Sequence, residues 1–489
     1  MQKRLFLCGL LACAGLSAQD DPAGDLPDQI KRFMDVFNVL DQHAADPLSA
    51  DQAIFQGALP SALRTLDPHS AFFDADQFTQ LQQMQKSESK GFGTIVSIVP
   101  GRVIVLQTIE GAPGAKAGLA AGDEILAINN IPLGNLEPEQ LIQLLSAARQ
   151  QVAVLDVRKP GNVRMFRLQL TPALVDSPSV DRVFLLAPDV GYLRITSFDE
   201  GTGKLVKESI EALGGGKLHA LVMDLRDNPG GAVVSAAETA ALFLQPDQLI
   251  FTVKPRSTSK NDEQPLRVPK LNQPYSFPVA LLMNGKSASA AEILAGALQD
   301  HDRATIIGEP SYGKGIVQSV FPLSQNTGMA LTVAFYYTPS GRSIQKPLAS
   351  GSLDVQARST PGVFRTDGGR PVQGGGGIQP DEVVTPPYPS RLLTVMDATG
   401  SLTTFASEYI QTREIRDDFE VTGAVLDNLR LYLSSRKIQP GLSDWLRDRD
   451  LIQSKLKQEV FNLKFGVAKG DEIEMRRDPV VLRAVQKLE

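Results

Sequence analysis

The chain has 489 residues, 42% of them hydrophobic, enough for roughly three or four domains with ample core material. Its formal charge of −6 argues against a nucleic-acid partner, which wants a basic surface, and its four histidines, His43, His69, His219 and His301, form no H-x-x-x-H or H-E-x-x-H pair that could hold a hydrolytic zinc. Both cysteines, Cys8 and Cys13, fall within the first 18 residues, which excludes disulfides, thiol nucleophiles and cysteine-based metal sites from the rest of the chain.

The N-terminus reads MQKRLFLCGLLACAGLSAQD: Lys3 and Arg4, an apolar run from Leu5, then the small-residue site Leu16-Ser17-Ala18. This pattern predicts a secretory signal peptide over 1–18 and a periplasmic or otherwise extracytoplasmic protein, whose charge becomes −8 once Lys3 and Arg4 are removed. Leu10-Leu11-Ala12-Cys13 also has the form of a lipoprotein cleavage site, and membrane attachment is expected only if Cys13 is lipidated. No other stretch reaches the ~18 uncharged apolar residues of a spanning helix. Residues 19–86 read as a small helical region, with Ile30, Phe33, Met34, Phe37, Val39 and Leu40 at helical spacing and a break at Leu66-Asp67-Pro68-His69-Ser70.

From 87 to 172 the segments GFGTIVSIV, RVIVLQTI, AGLAAGDEILAINN, EPEQLIQLLSAAR and QVAVLDVRK predict a compact mixed domain of strands and one helix. Between 173 and 388, VGYLRITSF, KLVKESIEAL, HALVMDLR, AVVSAAETAALFL, FPVALLMN, SAAEILAGALQD and RATIIG alternate strand with helix, which predicts an α/β domain with a largely parallel sheet. Within it, 254–274 and 349–377 read as surface loops. Residues 389–489 are again helical and carry no recognisable chemistry.

The stretch GEPSYGKG, residues 308–315, offers Lys314 to several chemistries. It differs from a phosphate-binding loop in having Gly315 where the hydroxyl belongs, and the segment GIVQSVFPLS after Lys314 reads as a strand instead of the required helix. Ser311-x-x-Lys314 has the β-lactamase spacing, but neither S-D-N nor K-T-G occurs. A solvated loop lysine is the plain alternative.

Upstream, VALLMNGKSASAAEILAGALQD, residues 279–300, reads as strand, tight turn and helix, with Ser289 where the helix begins. Ser289 there is either half of a capping box with Glu292 or a nucleophile whose oxyanion the Ala290 amide would meet. His301 stands at the far end of the same helix, roughly 18 Å away, so a serine nucleophile needs another base, and a desolvated lysine can serve. Asp224-Leu225-Arg226-Asp227-Asn228-Pro229-Gly230-Gly231 is a second strand-to-helix loop, whose glycines make either a turn or a second oxyanion donor.

Together these residues resemble the carboxy-terminal processing peptidases, or tail-specific proteases, over about residues 60 to 384. The family motif S-A-S-A-S-E is matched by Ser287-Ala288-Ser289-Ala290-Ala291-Glu292, with Ala291 the one departure, and G-E-P-x-x-G-K-G by residues 308–315, 25 residues separating Ser289 from Lys314. The resemblance implies a crotonase-like α/β serine protease core, Ser289 as nucleophile, Lys314 as base, Gln318 orienting the lysine, and an oxyanion hole from Ala290 with Gly230 or Gly231. Leu66–Ser70, Tyr337-Thr338-Pro339-Ser340-Gly341-Arg342 and Gly377-Ile378-Gln379-Pro380-Asp381 look like further family signatures.

The 87–172 domain resembles a PDZ module, in which Gly91-Phe92-Gly93-Thr94 would hold a peptide carboxylate and the helix 137–149 would wall the groove. The resemblance thus implies an exported endopeptidase acting on proteins with accessible C-termini, needing no metal or other cofactor, with homo-oligomerisation left open. The rival reading is a catalytically silent PDZ scaffold. The presence of Ser289, Lys314 and Gln318 together argues against it.

Overall fold

The computed structural model describes residues 26–46, 48–85, 88–255, 262–347 and 362–489; the expected leader and Cys13 lie outside them. The chain divides into two units between Thr65 and Leu66. The first contains the helix Leu26–His43 and a helical stretch from Gln52. Its apolar residues are spaced as the sequence predicts, yet Ile30, Phe33, Met34, Val39 and Leu40 remain 41–58% exposed.

The second unit is built around a six-stranded sheet in the order Val180–Ala187, Val190–Ile195, Ala220–Asp224, Val279–Met283, Ala304–Gly308, Glu382–Val383. The first pair is antiparallel and every later pair is parallel. Ala220–Asp224 and Val279–Met283 are buried at every residue, which is why they read as apolar runs up to the terminal Asp224: a parallel sheet is covered on both faces. Leu221, Met223, Leu281 and Ile306 face a core completed by the helices Thr202–Leu213, Val233–Ala241 and Ala290–Asp300. The alternate residues Val222, Ala280, Leu282 and Ile307 pack on Met475, Val480, Val481, Ala484 and Leu488. The C-terminal helices, silent in the sequence, therefore close the second face of the sheet.

The same C-terminal region grips the smaller domain. There the strands Thr94–Val99, Arg102–Thr108, Glu124–Ile128, Ala153–Arg158 and Met165–Leu170 form a sheet in that order, packed with Leu141 and Ala148 of the helix Pro138–Ala148 around Val103, Val105 and Leu155. Val99 and Ile104 bury themselves among Phe405, Leu429 and Ile452, and Arg102 Nη2 donates to Thr404 Oγ1 at 3.0 Å.

A second, antiparallel sheet centres on Gly328–Tyr337, with Ile316–Pro322 on one edge and both Ala71–Phe73 and Leu249–Pro255 on the other. Two regions expected as loops contain strands: Gln264–Arg267 pairs with 249–253, and Gly362–Arg365 with Pro371–Gly374. Gln264–Arg267 is exposed at every residue, so it has none of the in-and-out alternation by which a strand is recognised. No helix among the described residues is long and apolar enough to cross a membrane.

Candidate active site

The neighbouring parallel strands Ala220–Asp224, Val279–Met283 and Ala304–Gly308 each release a loop from their carboxyl ends, the place where open α/β sheets present their ligand sites. These loops, 225–231, 284–289 and 309–315, carry the sequence-predicted residues and are stitched together. Ser287 Oγ donates to the Leu225 carbonyl at 2.7 Å and accepts from Asn284 N–H at 3.0 Å. Ala288 N–H donates to the Asn228 carbonyl, and Tyr312 N–H to that of Ser287, both at 2.9 Å. Ser287 is fully buried in this role, whereas Ser289 is half-buried.

Ser289 occupies φ 54°, ψ −115° at the cap of the helix Ala290–Asp300, a left-handed conformation that costs a non-glycine residue about 1–3 kcal/mol and persists where the surroundings enforce it. Gly230 lies against it, at φ 99°; a Cβ there would come within 2.7 Å of Ser289 Cβ and 2.9 Å of Ala290 N. The Gly230 N–H donates to Asn228 Oδ1 at 2.8 Å. By contrast, the N–H groups of Gly231 and of Ala290 have no acceptor among the described residues.

Glu292, fully buried, joins the serine loop to the lysine loop. Its Oε2 accepts from the N–H groups of both Ser289 and Lys314, each at 2.8 Å. Its Oε1 accepts from Gly313 N–H at 2.7 Å and Ser311 Oγ at 2.5 Å. Burial pushes this carboxyl above its usual pKa, and the hydrogen bonds from Ser311, Lys314, Ser289 and Gly313 oppose the shift. From the other side the buried Tyr336 donates its hydroxyl to the carbonyls of Lys314, at 2.8 Å, and Ser289, at 3.3 Å. Ser289 and Lys314, 25 residues apart in sequence, are thus held within a few ångströms of each other at the backbone.

The Lys314 side chain leaves this knot partly buried and donates from Nζ to Gln318 Oε1 at 2.7 Å. It forms no salt bridge among the described residues. Burial pushes its pKa below the ordinary lysine value, while the carboxylates of Asp67 and Glu292 pull it partway back. Gln318, in the strand Ile316–Pro322, sits opposite a register shift in the strand Gly328–Tyr337, where Val333 is passed over between Ala334 and Thr332, an irregularity that twists the ladder locally; its Nε2 donates to the His69 carbonyl at 2.8 Å. The strand after Lys314 removes the phosphate-loop reading. Ser311 Oγ, which also accepts from Ile378 N–H at 2.6 Å, is bound into the loop and cannot act as a nucleophile.

His301 is held at the end of its helix by Asp367 and the Leu249 carbonyl, remote from Ser289 as expected. The sequence identifies Glu292 only as a cap partner, and the Ser289–Glu292 capping box is indeed present; the i, i+3 spacing is the available signal. Tyr336 and the His69 carbonyl have no such signal, since both arrive through strand pairing.

In the smaller domain, Gly91 closes a ribbon with Ala173, and the Phe92 and Gly93 carbonyls accept from Gly114 and Ile109 N–H groups at 2.8 Å. Gly93 adopts φ 64°, where a Cβ would collide with Ala112 Cβ at 2.2 Å. Thr94–Val99 is the edge strand of its sheet, and the exposed side chains Ile95 and Ile142, 39% and 56% accessible, lie on that strand and on the helix Pro138–Ala148.

Residues 189–351 match the sequence model of peptidase family S41, and residues 104–159 match that of the PDZ domain. The carboxy-terminal-processing protease of Bartonella bacilliformis is 33% identical over 346 residues, covering 70% of this chain and 78% of that protein. A carboxyl-terminal-processing protease of Synechocystis is 31% identical, covering 59% of this chain and 68% of that one. The chloroplastic carboxyl-terminal-processing peptidase 2 of Arabidopsis thaliana is 31% identical, covering 62% and 60%.

Proposed function

The chain belongs to the carboxy-terminal-processing proteases, PDZ-bearing serine peptidases of family S41, and on that footing we propose that Ser289 is its nucleophile and Lys314 its general base. Lys314, as a neutral amine, takes the hydroxyl proton while Ser289 Oγ attacks the scissile carbonyl, and the N–H groups of Ala290 and Gly231 receive the negative oxygen. The ammonium returns the proton to the leaving amine as the C–N bond breaks, which leaves an acyl-enzyme on Oγ. A water molecule then attacks the acyl carbon, losing its proton to the same amine, and the ammonium returns that proton to Ser289 Oγ as the C–Oγ bond breaks and the new C-terminus leaves. Gly231 is preferred to Gly230 because the Gly230 N–H is already spent on Asn228.

A lysine with pKa ~10.4 is neutral in only about one molecule in a few thousand at pH 7, so the burial of Lys314 is a requirement of the mechanism. The observation that carries the reading is the shared oxygen of Glu292: the Ser289 and Lys314 N–H groups end on it together, while Nζ points to Gln318.

The PDZ domain, assigned to 87–172, selects the substrate. A protein C-terminus adds as a strand along Thr94–Val99, its carboxylate at residues 91–94 and its apolar side chains against Ile95 and Ile142. The leader-like run over 1–18 supports action outside the cytoplasm; the mass of the mature protein distinguishes a start after Ala18 from a lipidated Cys13. The function is tested with unfolded substrates differing only in their last few residues. Apolar tails are cleaved in preference to charged ones, and Ser289→Ala cleaves neither. Equal cleavage of both tails by the wild-type protein would remove tail specificity, and cleavage by Ser289→Ala would move the nucleophile elsewhere.

A further inference from the structure

The turn Leu66–Ser70 lies outside residues 189–351, which match the sequence model of the peptidase family, and plays no part in the mechanism above, yet it reaches the base. Gln318 is pinned from two sides: its amide nitrogen donates to the His69 carbonyl at 2.8 Å, and its amide oxygen accepts from Lys314 Nζ at 2.7 Å. A backbone carbonyl can only accept. The His69 carbonyl therefore fixes which end of the amide faces the amine. Turned the other way, Gln318 would present N–H groups to Lys314 and could not orient it as an acceptor.

What holds that carbonyl in place is Asp67. Its Oδ1 accepts from the N–H groups of His69 and Ser70, both at 2.8 Å, and its Oδ2 accepts from Ser70 Oγ at 2.7 Å. Asp67 and Ser70 are both buried. Burial alone would raise the Asp67 pKa, but the hydrogen bonds from Ser70 and His69 outweigh it and keep the group below its ordinary value, as a carboxylate. Ser70 Oγ in turn accepts from Thr332 N–H at 3.2 Å, and Thr332 is the register partner of Gln318. The next residues, Ala71–Phe73, pair with Gly328–Ala330 of the same strand. The turn is thus stapled to the strand beside the one that bears Gln318.

We propose that Asp67 is a positioning residue for the Ser289–Lys314 pair, acting through the His69 carbonyl and the Gln318 amide. The proposal rests on the reading of Lys314 as base. Removing Asp67 frees the turn, lets the Gln318 amide rotate, and leaves the amine aimed at random for part of the time; tail binding, which the PDZ domain provides, is untouched. A misplacement of this kind costs about 10- to 100-fold in rate.

The test compares kcat and KM on one apolar-tailed substrate for Asp67→Ala, Asp67→Asn, Ser70→Ala, Gln318→Ala, Lys314→Ala and the combinations with Gln318→Ala. Asp67→Ala is expected to lower kcat about 10- to 100-fold with KM unchanged. Asp67→Asn, whose amide oxygen can still accept from His69 and Ser70, should recover most of the rate. In the Gln318→Ala background Asp67→Ala should add almost nothing, because both act along one chain of contacts. Should Asp67→Ala fail to fold, Ser70→Ala carries the same test, with a smaller loss of kcat that also vanishes beside Gln318→Ala. Losses that multiply in the double variants, or an effect on KM alone, would overturn the positioning role and leave the Ser-Lys reading intact. Activity surviving in Lys314→Ala would sink both.

Discussion

Glu292→Gln is the substitution on which the architecture of the site turns. Each carboxylate oxygen accepts two hydrogen bonds, Oε2 from Ser289 and Lys314 and Oε1 from Gly313 and Ser311. A glutamine replaces one of these oxygens with an NH2 group: turned toward Ser289 and Lys314 it leaves two N–H groups facing a donor, and turned toward Ser311 and Gly313 it leaves the Gly313 N–H facing one, since the Ser311 hydroxyl can turn to accept. Hydrogen bonds to a charged group contribute about 1.5–3 kcal/mol each and neutral ones about 1 kcal/mol, so in the better orientation one bond lost and three reduced to neutral strength cost roughly 3–6 kcal/mol. The relief of no longer burying a charge offsets part of this, in keeping with the upward shift of the Glu292 pKa. A net loss on the order of 3 kcal/mol corresponds to a fall in Tm of about 10 °C for a domain of this size. Because the two loops that separate are those bearing Ser289 and Lys314, kcat should drop by at least about 100-fold. Thermal unfolding by circular dichroism and steady-state cleavage of an unfolded substrate measure both. A Glu292→Gln variant with wild-type Tm and activity within about threefold of wild type, far short of the loss that loop separation implies, would refute the idea that this carboxylate joins the loops.

Lys314→Arg should be as inactive as Lys314→Ala, since a guanidinium does not give up its proton, and adding Ser289→Ala to Lys314→Ala should cost little more. The wild-type rate should rise with pH through a pKa below the ordinary lysine value, the direction in which burial pushes Lys314; a limb below the ordinary histidine value, the direction in which burial pushes His69, that disappears with His69→Gln would instead identify a histidine base. Ile142→Asp should narrow the ratio of kcat/KM between apolar-tailed and charged-tailed substrates, measured in competition, and an unchanged ratio would place the recognition groove elsewhere. Arg342→Leu leaves Asp300, whose partner at 2.8 Å is the fully buried guanidinium, uncompensated, and should destabilise the core by about 3–5 kcal/mol in thermal unfolding. Burial pushes Asp471 up from 3.8 to about 6 despite Arg182; its contribution to stability is complete below the lower, unfolded value and is lost as pH rises through the higher, folded one, so Asp471→Asn should raise Tm at pH 8 and not at pH 4.

Much of the core and of the site is legible in the amino-acid sequence. The buried strand Val279–Met283 is an unbroken apolar run and Ala304–Gly308 one interrupted only by Thr305, the helix Ala290–Asp300 begins at a recognisable cap, and the strand after Lys314 carries β-branched residues and Pro322. The α/β core and the two loops bearing Ser289 and Lys314 therefore emerge from pattern alone. Pattern does not show who meets whom across the sheets. Glu292 looks like a cap partner because the i, i+3 relation is local, whereas its bonds to Gly313 and Lys314 span 21 and 22 residues. The His69 carbonyl reaches Gln318 across 249 residues, and a carbonyl carries no side-chain identity for a motif to record. Likewise the helices after 389 have an apolar stripe like any other, and only the second face of the sheet shows what it covers.

In the proposed mechanism, one serine carries the acyl group and one lysine makes it reactive. Acid-quenching the protein during turnover of an apolar-tailed substrate, followed by peptide mapping by mass spectrometry, reads this directly. The expected result is an acyl adduct on the peptide containing Ser289, fragmenting to Ser289 itself and absent from both Ser289→Ala and Lys314→Arg. An adduct on Ser287 or Ser311, or undiminished adduct formation in Lys314→Arg, would contradict it.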